Sequence, residues 1–300
     1  PEAGIIAAFL RKDSKQLIAR LNIILLTDAQ NIQDLRQMDK WVLTTLFARA
    51  ISLIFEHSLS GHAELLEDAE IILKDVFILS ESSSNPAQWW LARLLKLMLN
   101  DYKKGSLWSV VPPFFGLNGV SLANAYIRLL AFSKLPVTEL WQSQLSSLQL
   151  ALNLQNSGGV INLRTSAGKT RVAELAILQT LAINPSAKVI YLAPFRSLAF
   201  ELERTFSKTI SGLGFSISHL YGGARFSGVD RELVVEANIT IATPEKLKAM
   251  LRAAPELFKM VKLIVIDEGH LLGGSERDVR NELFFEHLRL LARQQEIRIL

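Results

Sequence analysis

Val160-Ile-Asn-Leu163, Arg164-Thr-Ser-Ala-Gly-Lys-Thr170 and the apolar run from Val172 onward read as strand, loop and helix in immediate succession. A phosphate-binding loop requires that order. Amides at the helix N-terminus face the anion, and the partial positive charge of the helix end reinforces them. Lys169 supplies a cation, and the Thr170 hydroxyl reaches a divalent metal. The usual G-x-x-x-x-G-K-[ST] pattern would have Gly at position 163, where this chain has Leu163. Gly-Lys-Thr alone is common, so the reading needs support from elsewhere.

That support lies downstream. Further short, β-branched runs occur at Lys188 to Leu192, Ile217 to Leu220, Ile239 to Ala242, Leu263 to Ile266 and Ile297 to Leu300. Helical stretches such as Arg171 to Ile183 and Leu198 to Ile210 separate them. The alternation predicts βαβ units, hence a parallel sheet covered on both faces. Leu263-Ile-Val-Ile266 runs into Asp267-Glu268-Gly269-His270, and the carboxyl ends of parallel strands are where such sheets bind ligands. Asp267 would hold Mg²⁺ through its water shell, and Glu268 would orient and deprotonate an attacking water. A helix cap or surface ion pair is the plainer reading, but a phosphate loop upstream in the same sheet argues for an ATP–Mg²⁺ site.

Before Pro136 the periodicity is helical throughout. Leu17, Leu21, Ile24 and Leu25 form one stripe, Val42, Leu46, Leu53 and Ile54 another, and Leu65, Ile72, Val76 and Leu79 a third. Polar punctuation separates them near residues 27–31, 58–61 and 81–86, with Asn85 a candidate N-cap and Pro86 at the first helical position. Pro112-Pro113 interrupts the pattern before a last helix near Ser121 to Phe132. The expectation is an all-helical domain of about six helices over 1–136, followed by an α/β domain over 137–300.

Composition excludes several classes. With 49% hydrophobic and 21% charged residues, the 300-residue chain is ordinary globular protein. The net charge of +4 divides as 14 basic and 13 acidic residues over 1–136, and 19 and 16 thereafter, so neither half is a polycation and a nucleic-acid partner would need a local track of groups. The absence of Cys rules out disulfides, zinc–thiolate sites and thiol catalysis, and fits a reducing, cytoplasmic compartment. No apolar run approaches the roughly 18 residues of a membrane span, and no signal peptide is recognisable, so no membrane partner is expected. The chain starts without Met and stops inside a core-strand pattern, which predicts a piece of a longer protein.

The series Thr165-Ser-Ala-Gly-Lys-Thr170, Leu192-Ala-Pro-Phe-Arg-Ser-Leu-Ala199, Gly222-Gly223, Thr243-Pro-Glu-Lys246 and Asp267-Glu-Gly-His270 resembles the ordered motifs of superfamily-two DExH-box helicases, most closely the Ski-like branch. Arg277 and Glu282 match a family Arg-Gly…Glu pattern, with Asp278 in place of the Gly. The resemblance implies a RecA-like P-loop NTPase lobe over 137–300. It assigns Thr165, Ser166, Ala167, Gly168, Lys169 and Thr170 to ATP, Thr170 and Asp267 to Mg²⁺, and catalysis to Lys169, Asp267, Glu268 and His270, the last coupling ATP to a second lobe. Leu140-Trp-Gln-Ser-Gln144, 25 residues before Lys169, resembles the motif whose Gln reads the adenine edge, which assigns Gln144 to the cofactor. The family's second lobe and its arginine fingers have no counterpart here, so the chain alone should not be a competent motor.

Ala193-Pro194-Phe195-Arg196 would present amides and a guanidinium, Gly222-Gly223 permits close approach of a sugar-phosphate chain, and Thr243-Pro244 starts a helix suited to a phosphate. By resemblance these three loops line the path of one strand of DNA or RNA. Every such contact goes to the backbone, so no sequence specificity is expected. Taken singly, Arg196 could be a surface ion pair and Gly222-Gly223 an ordinary turn. His57, His62, His219 and His287 lack ligand spacing, Trp89-Trp90 reads as one core and one interface residue, and Lys103-Lys104 as a solvated loop. The functional expectation is an ATP-dependent helicase or translocase on nucleic acid, with 3′-to-5′ polarity implied by the resemblance to the Ski-like branch. The leading helical domain suggests a specialised bacterial system such as anti-phage defence with a nuclease subunit. The rival is an ATP-binding scaffold that gates a protein partner docked on the helical domain.

Overall fold

The computed structural model describes residues 1–27, 34–155, 157–164, 167–220, 225–269 and 276–300, for 276–278 the backbone only. Thr165, Ser166, Gly222, Gly223 and His270 lie outside the described residues, as do the side chains of Arg277 and Asp278. The chain divides into two compact units, one of Pro1–Val110 with Ile127–Leu140 and one of Val111–Tyr126 with Trp141–Leu300.

The first unit is helical: α1 (Glu2–Leu10), α2 (Ser14–Leu25), α3 (Leu35–Ser60), α4 (Glu64–Ser82), α5 (Pro86–Gly105), the short α6 (Leu107–Val110) and the end of α7 (Gly116–Ala131). α3 is its axis and packs against α1, α2, α4 and α5. By length and composition α3 could cross a membrane, but Leu43, Phe47, Ile51 and Ile54 are buried in the helical core. Val42, Leu46 and Leu53 are only half-buried beside that stripe. A helix apolar over most of its circumference reveals its type in sequence without revealing which face turns inward. Gly61 ends α3 in the left-handed region (φ 81°), where its amide donates to the His57 carbonyl at 2.8 Å. Pro86 takes the first position of α5 after Asn85, as expected. Lys103 and Lys104, read as a loop, instead form the last turn of α5, where cations suit the helix dipole; Lys103 pairs with Glu70 at 3.0 Å.

The second unit holds α8 (Gln142–Leu152), α9 (Lys169–Ile183), β1 (Lys188–Leu192), α10 (Arg196–Thr209), β2 (Ile217–Leu220), α11 (Gly228–Glu236), β3 (Ile239–Ala242), α12 (Pro244–Ala253), β4 (Val261–Ile266), α13 (Glu276–Gln295) and β5 (Arg298–Ile299). Among the described residues five strands form one parallel sheet in the order β2-β3-β1-β4-β5. Its central strands, β1 and β3, are buried almost throughout, as a sheet covered on both faces demands. The first part of α7 belongs here, unlike a single cut at residue 136. Tyr126 bonds to side chains of α9, and the Phe114 carbonyl accepts from Gln179 of α9 at 2.7 Å.

One expected strand is corrected. Val160 to Leu163 forms no ladder; the segment makes a single parallel bridge, Gly158 with Ile299, and Val160 is 88% exposed. Strand structure needs a paired neighbour for its backbone groups, and the backbone bonds to β5 are made by Ser157 and Gly159, just before this segment. The β-branched composition is right for a strand, but composition does not supply the partner.

Candidate active site

Because all five strands are parallel, their carboxyl ends share one edge. Register pairs Leu192 with Ala242 and with Ile266, and Leu220 with Ala242. The turns after β3, β1 and β4 therefore stand side by side: Thr243-Pro244, then Pro194 to Arg196, then Asp267-Glu268.

The phosphate loop meets this edge through α9. Gly168 precedes the helix in the left-handed region (φ 79°), and Lys169 and Thr170 open its first turn. A Cβ at Gly168 would lie 2.1 Å from the side-chain nitrogen of Gln144, so glycine is required by conformation and by space. Gln144 is buried behind the loop. Its Nε2 donates to the Gly168 carbonyl at 3.2 Å, and its Oε1 accepts from the Trp141 amide at 2.8 Å, capping α8. The structure thus brings Gln144 to the loop and spends both ends of its amide on the protein. Ala167 lies next to Gly168, its amide donating to the Arg164 carbonyl at 3.0 Å.

Lys169 Nζ sits 3.5 Å from Glu268 Oε1, so the cation of the loop and the second carboxylate of the strand tip face each other. Glu268 has φ 50°. Left-handed backbone costs a non-glycine residue roughly 1–2 kcal/mol, a strain typical of sites where a side chain must point one way. Asp267 is anchored by its amide, which donates to the Leu192 carbonyl at 2.9 Å. Its Oδ1 accepts from the Glu268 amide at 2.9 Å, and its Oδ2 from the Tyr191 hydroxyl at 3.0 Å. Burial pushes the Asp267 carboxyl above the ordinary range despite these bonds, and the charge of Glu268 adds to the shift. A divalent cation would relieve both effects.

At the neighbouring turns Arg196 is exposed at the start of α10, and Pro194 is half-buried before it. Thr243 is buried at the N-cap of α12 with Pro244 at its first position. Lys246, one turn into α12, is buried too, and its Nζ donates to Asp230 and to the Arg225 carbonyl, both at 2.8 Å. Lys246 therefore ties the start of α12 to the first turn of α11 and to the segment before it, and is a structural cation.

Sequence reasoning missed a buried network beside the loop. Glu174, 1% exposed on α9, accepts from Arg171, from the Tyr126 hydroxyl and, at 2.9 Å, from Thr209 of α10. Arg171 also donates to the Tyr126 hydroxyl at 2.8 Å. The network holds the first turns of α9 against α7 and α10. A Glu in the otherwise apolar run Val172 to Leu178 was the available signal, because a charge in a buried stripe must be paired. Tyr191 gave no such sign, since a Tyr in a strand is ordinary.

Comparison with known proteins agrees with this geometry. Residues 141–300 match the DEAD/DEAH box helicase family. The Hachiman protein HamB of Bacillus cereus is 37% identical over 286 residues, covering 95% of this chain and 25% of HamB. The ATP-dependent DNA helicase Hel308 of Thermococcus kodakarensis is 32% identical over 152 residues, 51% of this chain and 13% of Hel308. The chain thus spans a quarter or less of the length of these relatives. Among solved structures, the DEAD-box helicase Mss116 bound to ssRNA and UDP-BeF superposes with a TM-score of 0.50 at 21% identity, over 65% of this chain and 40% of that one, a likeness of fold. With a parallel RecA-like sheet, a phosphate loop and an acidic strand tip on one edge, and the family match across residues 141–300, the chain belongs to the DEAD/DEAH box helicases.

Proposed function

We propose that this chain carries the ATP-binding lobe of an ATP-dependent helicase or translocase that moves along single-stranded DNA or RNA. The observation that carries the reading is the approach of Lys169 to Glu268 across the strand-end edge, which brings the phosphate loop and the carboxylate pair into one site. The residues present fit ATP with Mg²⁺: a glycine-opened helix N-terminus for the phosphates, and a half-buried carboxylate beside a second one, whose charge calls for a cation. Lys169 and the loop amides would hold the phosphates, Thr170 and Asp267 the metal, and Gln144, already bonded to Gly168 and Trp141, would meet the adenine edge with its second amide hydrogen and second lone pair. Bound ATP–Mg²⁺ supplies the phosphoanhydride bond and the charge that polarises it. Glu268, whose carboxylate lies 3.5 Å from Lys169 Nζ, would orient a water and take its proton. His270 is assigned the coupling of this site to a second lobe.

Pro194, Arg196, Gly222, Gly223, Thr243 and Pro244 would contact the sugar-phosphate backbone, giving salt-sensitive and sequence-independent binding. Translocation from 3′ to 5′ and a cytoplasmic location complete the reading. A role in bacterial anti-phage defence draws support from the bacterial relative, whose similarity covers the helical unit as well as the sheet unit. A protein partner, such as a nuclease, docked on the helical unit belongs to the same reading. The second reading, an ATP-binding scaffold gating that partner, differs in one measurement. ATP hydrolysis by the full-length protein should rise on adding single-stranded DNA or RNA. A rate indifferent to both, and to duplex ends, would favour the scaffold. Residues 1–300 alone should hydrolyse ATP close to background.

A further inference from the structure

Asp267 is held by two donors from different elements. The Glu268 amide, its own neighbour in the chain, bonds Oδ1, and the hydroxyl of Tyr191, one strand away, bonds Oδ2. Tyr191 is 2% exposed, and its ring meets Phe206 of α10 edge-on at 5.3 Å, so the phenol has little freedom to choose its direction. Register pairs Tyr191 with Val265, and residue 267 lies two positions further on. Alternation along the strand sets side chains two apart on one face, which directs the phenol to the carboxylate. An ionised carboxylate offers about four acceptor positions. With one on each oxygen occupied, the carboxylate plane is locked and the remaining lone pairs are fixed in direction.

We propose that Tyr191 is a positioning residue for metal binding: its hydroxyl orients the Asp267 carboxylate toward the water shell of the divalent cation. The inference rests on the reading of Asp267 as the metal-holding carboxylate. A purely structural role would have the hydroxyl serve only to satisfy a buried phenol, and removing it would then disturb folding without a particular effect on the metal.

The test is Tyr191→Phe in the full-length protein, which keeps the ring and its contact with Phe206. Binding of a fluorescent ATP analogue is titrated with Mg²⁺ and repeated in EDTA, with turnover measured alongside. The half-saturating Mg²⁺ concentration should rise about tenfold, corresponding to about 1.4 kcal/mol. Analogue binding in EDTA and kcat at saturating Mg²⁺ should stay within about twofold of wild type. An unshifted Mg²⁺ curve would overturn the role, and so would an equal loss of binding with and without Mg²⁺, the mark of a damaged fold. Lys169→Ala, run in parallel, separates the two levels. Analogue binding at wild-type strength in that variant would remove the nucleotide reading itself. Lost binding there, with an unshifted curve in Tyr191→Phe, would remove only the role of Tyr191.

Discussion

In the helical unit two buried polar pairs bridge helices of the bundle, whereas in the sheet unit one buried network lies beside the phosphate loop and a buried phenol reaches the strand-end edge. His57 Nδ1 meets the Tyr102 hydroxyl at 3.0 Å, and Glu2 accepts from Thr44. Each pair joins two helices. In the sheet unit Thr209, Glu174, Arg171 and Tyr126 form a connected set at the root of the phosphate loop, and Tyr191 reaches the carboxylate at the tip of the adjacent strand. A paired polar group in a helix bundle satisfies burial and pins neighbours. A network ending at a strand tip does that and also aims a side chain at the outside. The chemistry of this chain is therefore expected in the sheet unit, and variants in the two units should separate turnover from stability.

The largest effect belongs to the loop. Lys169→Ala in the full-length protein should lower ATP turnover by on the order of 10³ or more, because the developing phosphate charge loses its preorganised cation. Wild-type turnover in that variant would move the active site elsewhere. Glu268→Gln should retain nucleotide binding while hydrolysis falls by roughly 10²–10⁴, the usual contribution of a general base. Affinity lost together with persisting turnover would mean that Asp267 and Glu268 have exchanged roles.

The buried network should act on stability first. Arg171→Met leaves Glu174 charged and short of its cation inside the protein, at a cost of roughly 3–5 kcal/mol. Arg171→Met with Glu174→Met removes both charges and should recover much of that loss in a thermal or urea unfolding measurement. Equal instability of the single and double variants would show that the charges themselves are not the issue.

The helical unit should respond to pH instead. Burial, with repulsion from His62 and Lys103, lowers His57 from its ordinary 6.5 to about 4. The unfolded chain takes up the proton first as pH falls, so stability is level above pH 6.5 and declines between 6.5 and 4. The decline amounts to up to about 3 kcal/mol at 1.36 kcal/mol per unit. His57→Phe should flatten that window in a pH series of unfolding curves, leaving turnover at neutral pH as in wild type. The smallest effect is expected at Arg196, which is exposed. Arg196→Ala should weaken single-strand binding a few-fold and reduce the salt dependence by about 0.7 in log–log slope, the share of one phosphate contact. An unchanged slope would take Arg196 off the track.

Much of this was legible in the chain itself. Helix and strand types follow from local periodicity, and the loop at 164–170 and the acidic pair at 267–268 are contiguous motifs with local chemistry. Residues 137–300 could be assigned to a parallel α/β lobe for the same reason. What the sequence could not carry were facts about partners. Val160 to Leu163 has strand composition, yet a strand exists only where a neighbouring backbone supplies its hydrogen bonds, and those to β5 are made by Ser157 and Gly159 instead. The stripes on α3 and α4 gave the period, but the inward azimuth depends on which helices pack alongside.

Composition, motif order and spacing by themselves determined that this chain has a nucleotide-type loop, a following acidic strand tip and a helical half before them. Those features depend on residues within a few positions of one another, where chain geometry alone sets what meets what. Only the tertiary structure decided that Lys169 faces Glu268, that Gln144 braces the loop, that Glu174 joins three helices, and that Tyr191 holds Asp267. Each of those contacts spans tens of residues, from 24 for Gln144 and Gly168, through 76 for Tyr191 and Asp267, to 99 for Lys169 and Glu268. Sheet register and helix packing, which no local pattern encodes, set whether such pairs meet.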